Sequence, residues 1–280
     1  MPVFATDTSI YIAMKMGCYY RWVVFLQLII FFNYMQIIPL SEGAFTVDKT
    51  KVFLPFDVED DQLQSRSSGS LLVEIQPFVI KTEKDILLLD AGLGFYKNGE
   101  LQLHQNLRAA GIQPEQITKV LMSHLHKDHA GGVSKKDNLG HYYLSFPNAV
   151  YYIQEQELAF ALETGFPSYM PEELSMLQNS SQVVLLNGNG IIDKYIDYEV
   201  TAGHSRYHQV FWIKEGGEIV FFGGDDAPQL QQMKSRFVAK YDYDGKKCMQ
   251  LRQQWWEEGK GENWTFLFYH DIKTPVSKAV

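Results

Sequence analysis

From residue 35 onward, short runs of Val, Ile, Leu and Phe alternate with polar segments rich in Gly, Ser, Asp and Asn. This pattern is typical of short strands separated by turns. It predicts strands at residues 36–40, 45–54, 71–80, 86–89, 117–122, 150–153, 182–186, 195–201, 209–214, 218–222 and 264–269. Helical spacing of apolar residues predicts helices at residues 101–110, 154–163 and 245–258, and a short helix opened by Pro171. With no internal repeat and no long linker, the pattern predicts one α/β domain with helices outside two sheets.

The N-terminal segment departs from this pattern. Residues 22–32, WVVFLQLIIFF, form an apolar run that follows Lys15 and Arg21 and is broken only by Gln27. The run has the outline of a signal-peptide core, but it is short for a membrane span and no small-residue cleavage site follows it. The alternatives are a secretory signal, an uncleaved anchor, or a functional chain that begins at Met35, and we favour the last.

The predicted organisation is therefore an N-terminal extension, residues 1–34, and one folded domain, residues 35–280. The expected location is the cytoplasm, with export or membrane anchoring through residues 15–34 as the alternative. Two cysteines far apart in sequence, Cys18 and Cys248, form neither a disulfide framework nor a thiolate metal site, which is consistent with a reducing compartment.

Charge excludes one class of partner. The 280 residues carry a formal net charge of −8, and the basic residues at positions 234–247 are interleaved with acids. Nucleic-acid backbones select proteins with clustered Lys and Arg, so a nucleic-acid partner is not expected.

The stretch most informative about chemistry is residues 123–132, SHLHKDHAGG, directly after a predicted strand. In an extended segment, side chains at i and i+2 point the same way. His124 and His126 can therefore bind one ion, and the following turn can direct Asp128 and His129 at a second. Imidazole and carboxylate are ligands that zinc, manganese and iron accept, and their mixture is typical of a catalytic metal site.

These residues cannot complete two coordination shells, so further ligands are expected at later strand ends. His204, Asp225 and His270 each follow a predicted strand, where a side chain can enter a cleft without being buried unpaired. Either Asp225 or its neighbour Asp226 can be the ligand at this strand end. We favour Asp225, because it directly follows the glycines that end the strand. His208 either lies behind a ligand or contacts substrate, or it is a loop histidine.

Other conspicuous residues are interpreted as structural. His104 and His141 are expected to lie outside the site, and Lys127 is expected to be solvated. Trp255 and Trp256 are interpreted as the core and the surface of one helix.

Together, the HLHKDH motif, Asp90 upstream and the later His and Asp residues resemble the metallo-β-lactamase fold superfamily of metal-dependent hydrolases, over residues 35–271. The resemblance implies a four-layer αββα sandwich with a dinuclear site between the sheets, in which Asp225 bridges both ions and Asp90 is a buried acid beside them. The implied ligands are His124, His126 and His204 for the first ion and Asp128, His129 and His270 for the second.

The sequence differs from several branches of this superfamily, and these differences narrow the set of activities that the resemblance implies. True β-lactamases commonly lack an acid at the position of Asp225, and only 55 residues follow it, too few for the glutathione-binding domain of hydroxyacylglutathione hydrolases. The RNA-binding arm of tRNA-processing nucleases is not visible. Residues 236–252, with YDYD before a helix, are similar to the branch of methyl parathion hydrolase and lactonases. The best-known lactonases have tyrosine where this chain has Pro228, which argues against homoserine-lactone specificity.

The leading hypothesis is a hydrolase in which a hydroxide held between two divalent ions attacks an ester, a lactone or a similar bond. Zinc is the first choice of metal, with manganese or iron as alternatives. Asp128 and Asp225 are expected to orient the nucleophile and take up its proton. The alternatives are a phosphotriester or phosphodiester hydrolase on the same site, a single-iron thiol or persulfide dioxygenase, and a non-catalytic metal-binding domain.

The expected partner is a small-molecule substrate. A membrane is not expected unless residues 1–34 are retained, and an oligomer stays open.

Overall fold

The computed structural model of the chain describes residues 35–137 and 139–279, so the predictions for residues 1–34 lie outside the described residues. The strands of this part are β1 (Gln36–Pro39), β2 (Gly43–Val47), β3 (Phe53–Pro55), β4 (Leu71–Ile75), β5 (Phe78–Lys81), β6 (Ile86–Leu89), β7 (Tyr96–Lys97), β8 (Glu100–Leu101), β9 (Lys119–Leu121), β10 (Ser134–Lys136), β11 (Tyr142–Leu144), β12 (Val150–Gln154), β13 (Val183–Leu186), β14 (Gly190–Ile192), β15 (Ile196–Val200), β16 (Gln209–Glu215), β17 (Glu218–Phe222), β18 (Thr265–Leu267) and β19 (Val276–Lys278).

The helices of the same part are α1 (Gln102–Ala109), α2 (Lys127–Ala130), α3 (Glu155–Thr164), α4 (Pro171–Leu174), α5 (Leu230–Met233) and α6 (Gly245–Glu262). Short 3-10 turns lie at Leu63–Ser65, Pro114–Gln116, Ser175–Leu177 and Gly224–Asp226. None of the helices in the described residues combines the length and the apolar character needed to cross a membrane.

Two six-stranded sheets dominate the fold. The first has the order β1-β5-β6-β9-β12-β13 and the second the order β14-β15-β16-β17-β18-β19. Strands β6, β9, β12 and β13 are parallel to one another, as are β17 and β18. A separate three-stranded sheet, β3-β2-β4, and two hairpins, β7-β8 and β10-β11, complete the strands.

Successive side chains of a strand point to opposite faces of its sheet, and in the large sheets both faces are apolar. In β6, Leu87 and Leu89 pack with Phe211 and Phe222 of the second sheet, whereas Leu88 belongs to the core on the opposite face. Because side chains of a strand point alternately to its two faces, a continuous apolar run is what a sheet covered on both sides requires. The inner layer of the fold is therefore sheet against sheet.

Helices cover the two outer faces. Leu103 and Leu107 of α1 and Leu158 of α3 pack on the first sheet, and α6 packs on the second through an aromatic cluster. Trp255 and Trp256 of α6 are both buried in that cluster, so the prediction that one of them lies on the surface was wrong. The predicted four-layer αββα sandwich is confirmed.

Two long predicted strands are interrupted. Residues 45–54 form the hairpin β2-β3, because the polar residues between them make a turn. Residues 71–80 divide into β4 and β5 at Gln76 and Pro77, since proline cannot donate a ladder hydrogen bond. Strands β10, β11, β14 and β19 were not predicted, being only three residues long and partly polar.

Candidate metal centre

All seven predicted metal ligands lie at one edge of the two large sheets. His124 and His126 occupy the loop from β9 to α2, and α2 itself carries Asp128 and His129. The other three follow second-sheet strands that run in the same direction, with His204 after β15, Asp225 after β17 and His270 after β18. Strands that run in the same direction end at the same edge of a sheet, so one edge collects residues far apart in sequence.

Four of these side chains form a first group. His124 Nε2 lies 2.9 Å from His126 Nδ1, and His204 Nε2 lies 3.1 Å from the same His126 atom. Asp225 Oδ2 lies 3.2 Å from His204 Nε2. One candidate ligand atom from each of the four lies within 4.8 Å of the others, a spacing at which all four can share one metal ion.

A second group comprises Asp128, His129 and His270, whose candidate ligand atoms also lie within 4.8 Å of one another. Asp128 Oδ2 is 3.8 Å from His129 Nε2 and 3.6 Å from His270 Nε2. Asp225 Oδ1 approaches the same two nitrogens, at 3.1 and 2.9 Å. The two oxygens of Asp225 therefore face two different groups of candidate ligands.

Burial and neighbouring charge set the protonation of these groups. Burial holds the pKa of His124 and of His126 well below its ordinary value, which keeps both imidazoles neutral, the form that binds a metal. Burial would raise the pKa of Asp225, but His270, His129 and His204 together hold it well below its ordinary range. Asp225 is thus a largely buried carboxylate that stays ionised.

Asp90 lies behind the second group. Its Oδ1 accepts the backbone N–H of Ser123 at 2.7 Å, and its Oδ2 lies 2.7 Å from both Ser123 Oγ and His129 Nδ1. With Nδ1 of His129 engaged in this way, Nε2 is left to face Asp225. Asp90 adopts a φ of 55°, a left-handed conformation that aspartate tolerates better than most residues.

His208 and Asp226 form a buried pair behind Asp225. The backbone N–H of Asp225 lies 3.2 Å from His208 Nε2, and His208 Nδ1 lies 3.1 Å from Asp226 Oδ2. The other oxygen of Asp226 accepts the backbone N–H of His204 at 2.6 Å. Gly203 is required for this approach, because a Cβ there would lie 2.4 Å from Asp226 Oδ1. His208 therefore contacts the backbone of Asp225 and is not part of the cavity lining. Asp226 holds the backbone of the loop that carries His204.

Two further acids near the site were not predicted. Asp242 Oδ1 lies 2.9 Å from His204 Nδ1, and its side chain is buried. Glu157 of α3 accepts the backbone N–H of Leu125 at 3.0 Å, between two candidate ligands, and lies 3.4 Å from Ser205 Oγ, next to another. The doublet YDYD, noted in the sequence, was the only signal for Asp242, and nothing local distinguishes Glu157 from a solvated helix residue.

A cavity of about 450 Å³ opens beside both groups of candidate ligands. This volume lies in the usual range for small-molecule sites. Its lining includes five of the seven predicted ligands, together with Tyr241 and Pro228. An apolar wall faces them from the three-stranded sheet, made of Val47, Phe53, Leu71 and Val73.

The residues interpreted as structural divide into two groups. His104 is buried against Phe146 and His141 pairs with Asp137 on the surface, so both lie outside the site. Lys127 is partly exposed, lines the cavity, and has its Nζ 5.5 Å from the centroid of the Phe166 ring.

A family model described as the metallo-beta-lactamase superfamily matches residues 74–238, more than half of the chain. No curated protein sequence matches the chain.

Solved structures share the fold at low sequence identity. A probable metal-dependent hydrolase from Staphylococcus aureus aligns with a TM-score of 0.70 and 23% identity, over 87% of this chain and 92% of that one. AidC, described as a dizinc quorum-quenching lactonase, aligns with a TM-score of 0.66 and 18% identity, over 87% and 90% of the two chains. AbOPH, described as a hydrolase in the beta-lactamase superfamily, aligns with a TM-score of 0.66 and 22% identity, over 87% of this chain and 89% of that one.

Proposed function

Because the chain belongs to the metallo-beta-lactamase superfamily, we propose that it is a metal-dependent hydrolase with a dinuclear centre that cleaves an ester or a lactone. The observation that supports this most directly is the position of Asp225. Its Oδ2 lies 3.2 Å from His204 Nε2, and its Oδ1 lies 2.9 Å from His270 Nε2. A carboxylate with one oxygen facing each of two ligand groups is placed to bridge two ions, which supports this function over a single-iron dioxygenase.

The side chains fit divalent metal ions. Asp225 Oδ1 and His129 Nε2 are buried, and neither makes a well-formed hydrogen bond within the described residues. The two atoms lie 3.1 Å apart among other ligand-type atoms, and a bound cation would satisfy both. Under this proposal His124, His126 and His204 hold the first ion and Asp128, His129 and His270 the second. The donor set of imidazoles and carboxylates suits zinc first, with manganese or iron as alternatives.

The residues around the cavity supply the rest of the chemistry. Two bound divalent ions would lower the pKa of a water molecule and polarise the scissile carbonyl. Asp128 and Asp225 line the cavity, where their carboxylate oxygens would orient the attacking water. Asp128 would accept its proton, because the pKa of Asp225 is held too low for an effective base. Partial burial and the charge of Asp225 raise the pKa of Tyr241, so its hydroxyl keeps its proton and can donate to the substrate oxygen that gains negative charge.

Metal content and turnover test the proposal together. Protein purified without added metal is analysed for metal and assayed with p-nitrophenyl esters, lactones and phosphotriesters. We expect about two equivalents of metal and turnover of the esters or lactones. A single iron without turnover of any substrate would contradict the proposal, and turnover of phosphotriesters alone would replace the ester with the runner-up substrate.

Variants test the bridging role. Asp225→Ala is expected to lose at least one ion and most of the rate, because its carboxylate belongs to both ligand groups. Asp60→Ala, which removes an exposed loop carboxylate, is the matched control and should retain both ions. An Asp225→Ala protein with two ions and full rate would refute the bridging assignment.

A further inference from the structure

The cavity beside the candidate ligands is basic although the chain is acidic. The sequence has 25 Lys and Arg against 33 Asp and Glu. Apart from the proposed ligands Asp128 and Asp225, the cavity lining contains one acid, Asp48. It contains four lysines, called here the lysine cluster, which are Lys49, Lys51, Lys127 and Lys240.

No lysine of the cluster forms a salt bridge within the part of the chain that the structure describes. Within residues 35–137 and 139–279, the lysines that form salt bridges are Lys119, Lys214 and Lys260, none of which lines this cavity. The Asp48 carboxylate is engaged by Thr50, from which it accepts the backbone N–H at 2.9 Å. The cavity lining therefore offers four ammonium groups that are not held in salt bridges, beside the single carboxylate of Asp48 that is not a proposed ligand.

Lys127 shows how charge and apolar surface are combined at this site. Its Nζ lies 5.8 Å from the centroid of the Phe53 ring and 5.5 Å from that of Phe166. Both distances allow a cation–π contact, which holds the ammonium group against apolar rings without removing its charge. Phe53 itself belongs to the apolar wall of the cavity.

From this arrangement we propose that the enzyme selects amphiphilic anions, namely esters or lactones whose apolar segment ends in a carboxylate, a sulfonate or a similar group. The proposal rests on the hydrolase function proposed above. The apolar segment packs on the wall formed by Val47, Phe53 and Leu71, and the anionic group meets the lysine cluster. A cleft lined by charge of one sign concentrates ligands of the opposite sign, which raises their rate of association. Polyanions such as nucleic acids are disfavoured by the net charge of −8 that the whole chain carries.

A matched pair of esters tests the selection by kinetics. 4-Nitrophenyl hexanoate and mono-4-nitrophenyl adipate share a leaving group and an acyl chain of the same length, but only the second carries a terminal carboxylate. After the rate without enzyme is subtracted, we expect a higher kcat/KM for the adipate, and a preference that decreases as NaCl is added because salt screens exposed charges. In Lys49→Gln/Lys51→Gln/Lys240→Gln the preference should fall about tenfold, since each exposed charge contributes a few-fold. Lys84→Gln, which changes an exposed lysine outside the cavity, should leave it unchanged.

A binding experiment separates this inference from the hydrolase function. Octane-1-sulfonate is an amphiphilic anion and a weak metal ligand, and its binding to the purified protein can be followed by calorimetry. We expect the triple lysine variant to bind it about tenfold more weakly than the wild type and than Lys84→Gln. Unchanged sulfonate affinity and an unchanged ester preference in the triple variant would overturn the inference. Absence of turnover of both esters would instead count against the hydrolase function, while the sulfonate titration still decides whether the cavity selects amphiphilic anions.

Discussion

A buried acid, Glu42, fixes the loop that follows β6 and carries Asp90. Glu42 Oε2 accepts the backbone N–H of Leu93 at 2.7 Å, and its Oε1 is buried without a hydrogen-bond partner within the described residues. The loop passes so close that a Cβ at Gly92 would lie 2.5 Å from the Glu42 carboxylate. Burial raises the pKa of Glu42 from the ordinary 4.5 to about 7. This environment makes the stability of the protein depend on pH.

The substitution Glu42→Gln removes the titration and keeps an oxygen acceptor for Leu93. At 1.36 kcal/mol for each pKa unit, the change from 4.5 to about 7 corresponds to about 3 kcal/mol. Because the folded state binds this proton more tightly than the unfolded state, its stabilising effect is complete below pH 4.5 and is lost as the pH rises through about 7. We therefore expect Glu42→Gln to gain up to about 3 kcal/mol relative to the wild type between pH 4.5 and pH 8.

Urea denaturation at pH 5 and pH 8, followed by tryptophan fluorescence, measures this difference. Any constant effect of the new amide cancels when the two pH values are compared, and Glu83→Gln, at an exposed turn, serves as the control. A difference between Glu42→Gln and wild type that is equal at both pH values would refute the reasoning.

Three further substitutions probe the surroundings of the site. Asp242→Asn should weaken metal affinity about 10- to 100-fold in competition with a chelator, because the carboxylate lies 2.9 Å from His204 Nδ1; an unchanged affinity would argue against this role. Glu157→Ala should lower the free energy of unfolding by about 1–3 kcal/mol, because it leaves the buried N–H of Leu125 unpaired. Urea denaturation measures the loss, with Glu155→Ala as the exposed control. Equal losses of stability in the two variants would contradict this role of Glu157. Tyr241→Phe should lower kcat about tenfold and leave KM unchanged in steady-state assays, because the hydroxyl is proposed to act on the transition state, and a change confined to KM would contradict this.

The sequence predicted which residues assemble at the sheet edge because the signal is local. His124 and His126 share a motif with Asp128 and His129, and each later candidate follows an apolar run that can be identified without a structure. The strand directions then bring these ends together, which needs only the topology. What remained open was which oxygen faces which nitrogen, since this depends on side-chain rotation.

The acids behind the ligands could not be predicted for a physical reason. Asp242 reaches His204 across 38 positions, and Glu157 reaches Leu125 across 32. A carboxylate in a loop or on a helix is solvated in most proteins, so only its burial reveals a different role. Asp226 shows the same limit: it competed with its neighbour as a ligand, and the structure places it behind the site, against His204 and His208.

Strand boundaries were predictable only where a residue interrupts the backbone pattern. Pro77 marks the break between β4 and β5, and it could have been used because proline cannot continue a central ladder. The turn at Asp48 and Thr50 was hidden because the apolar residues of β3 resume soon after it. This hairpin forms part of the apolar cavity wall, so the position of that wall required the structure.

The candidate ligands come from loops of both large sheets, and this has a consequence for the durability of the fold. Ions shared between the sheets would act as a cross-link, and their binding free energy would add to the cohesion of the sandwich. Metal binding and folding stability are linked in both directions. Phe222→Ala removes a fully buried ring between the sheets at a cost of about 3–5 kcal/mol. It should therefore also weaken metal retention, although Phe222 is not a candidate ligand. Metal supply would then govern the survival of the folded chain as well as its activity.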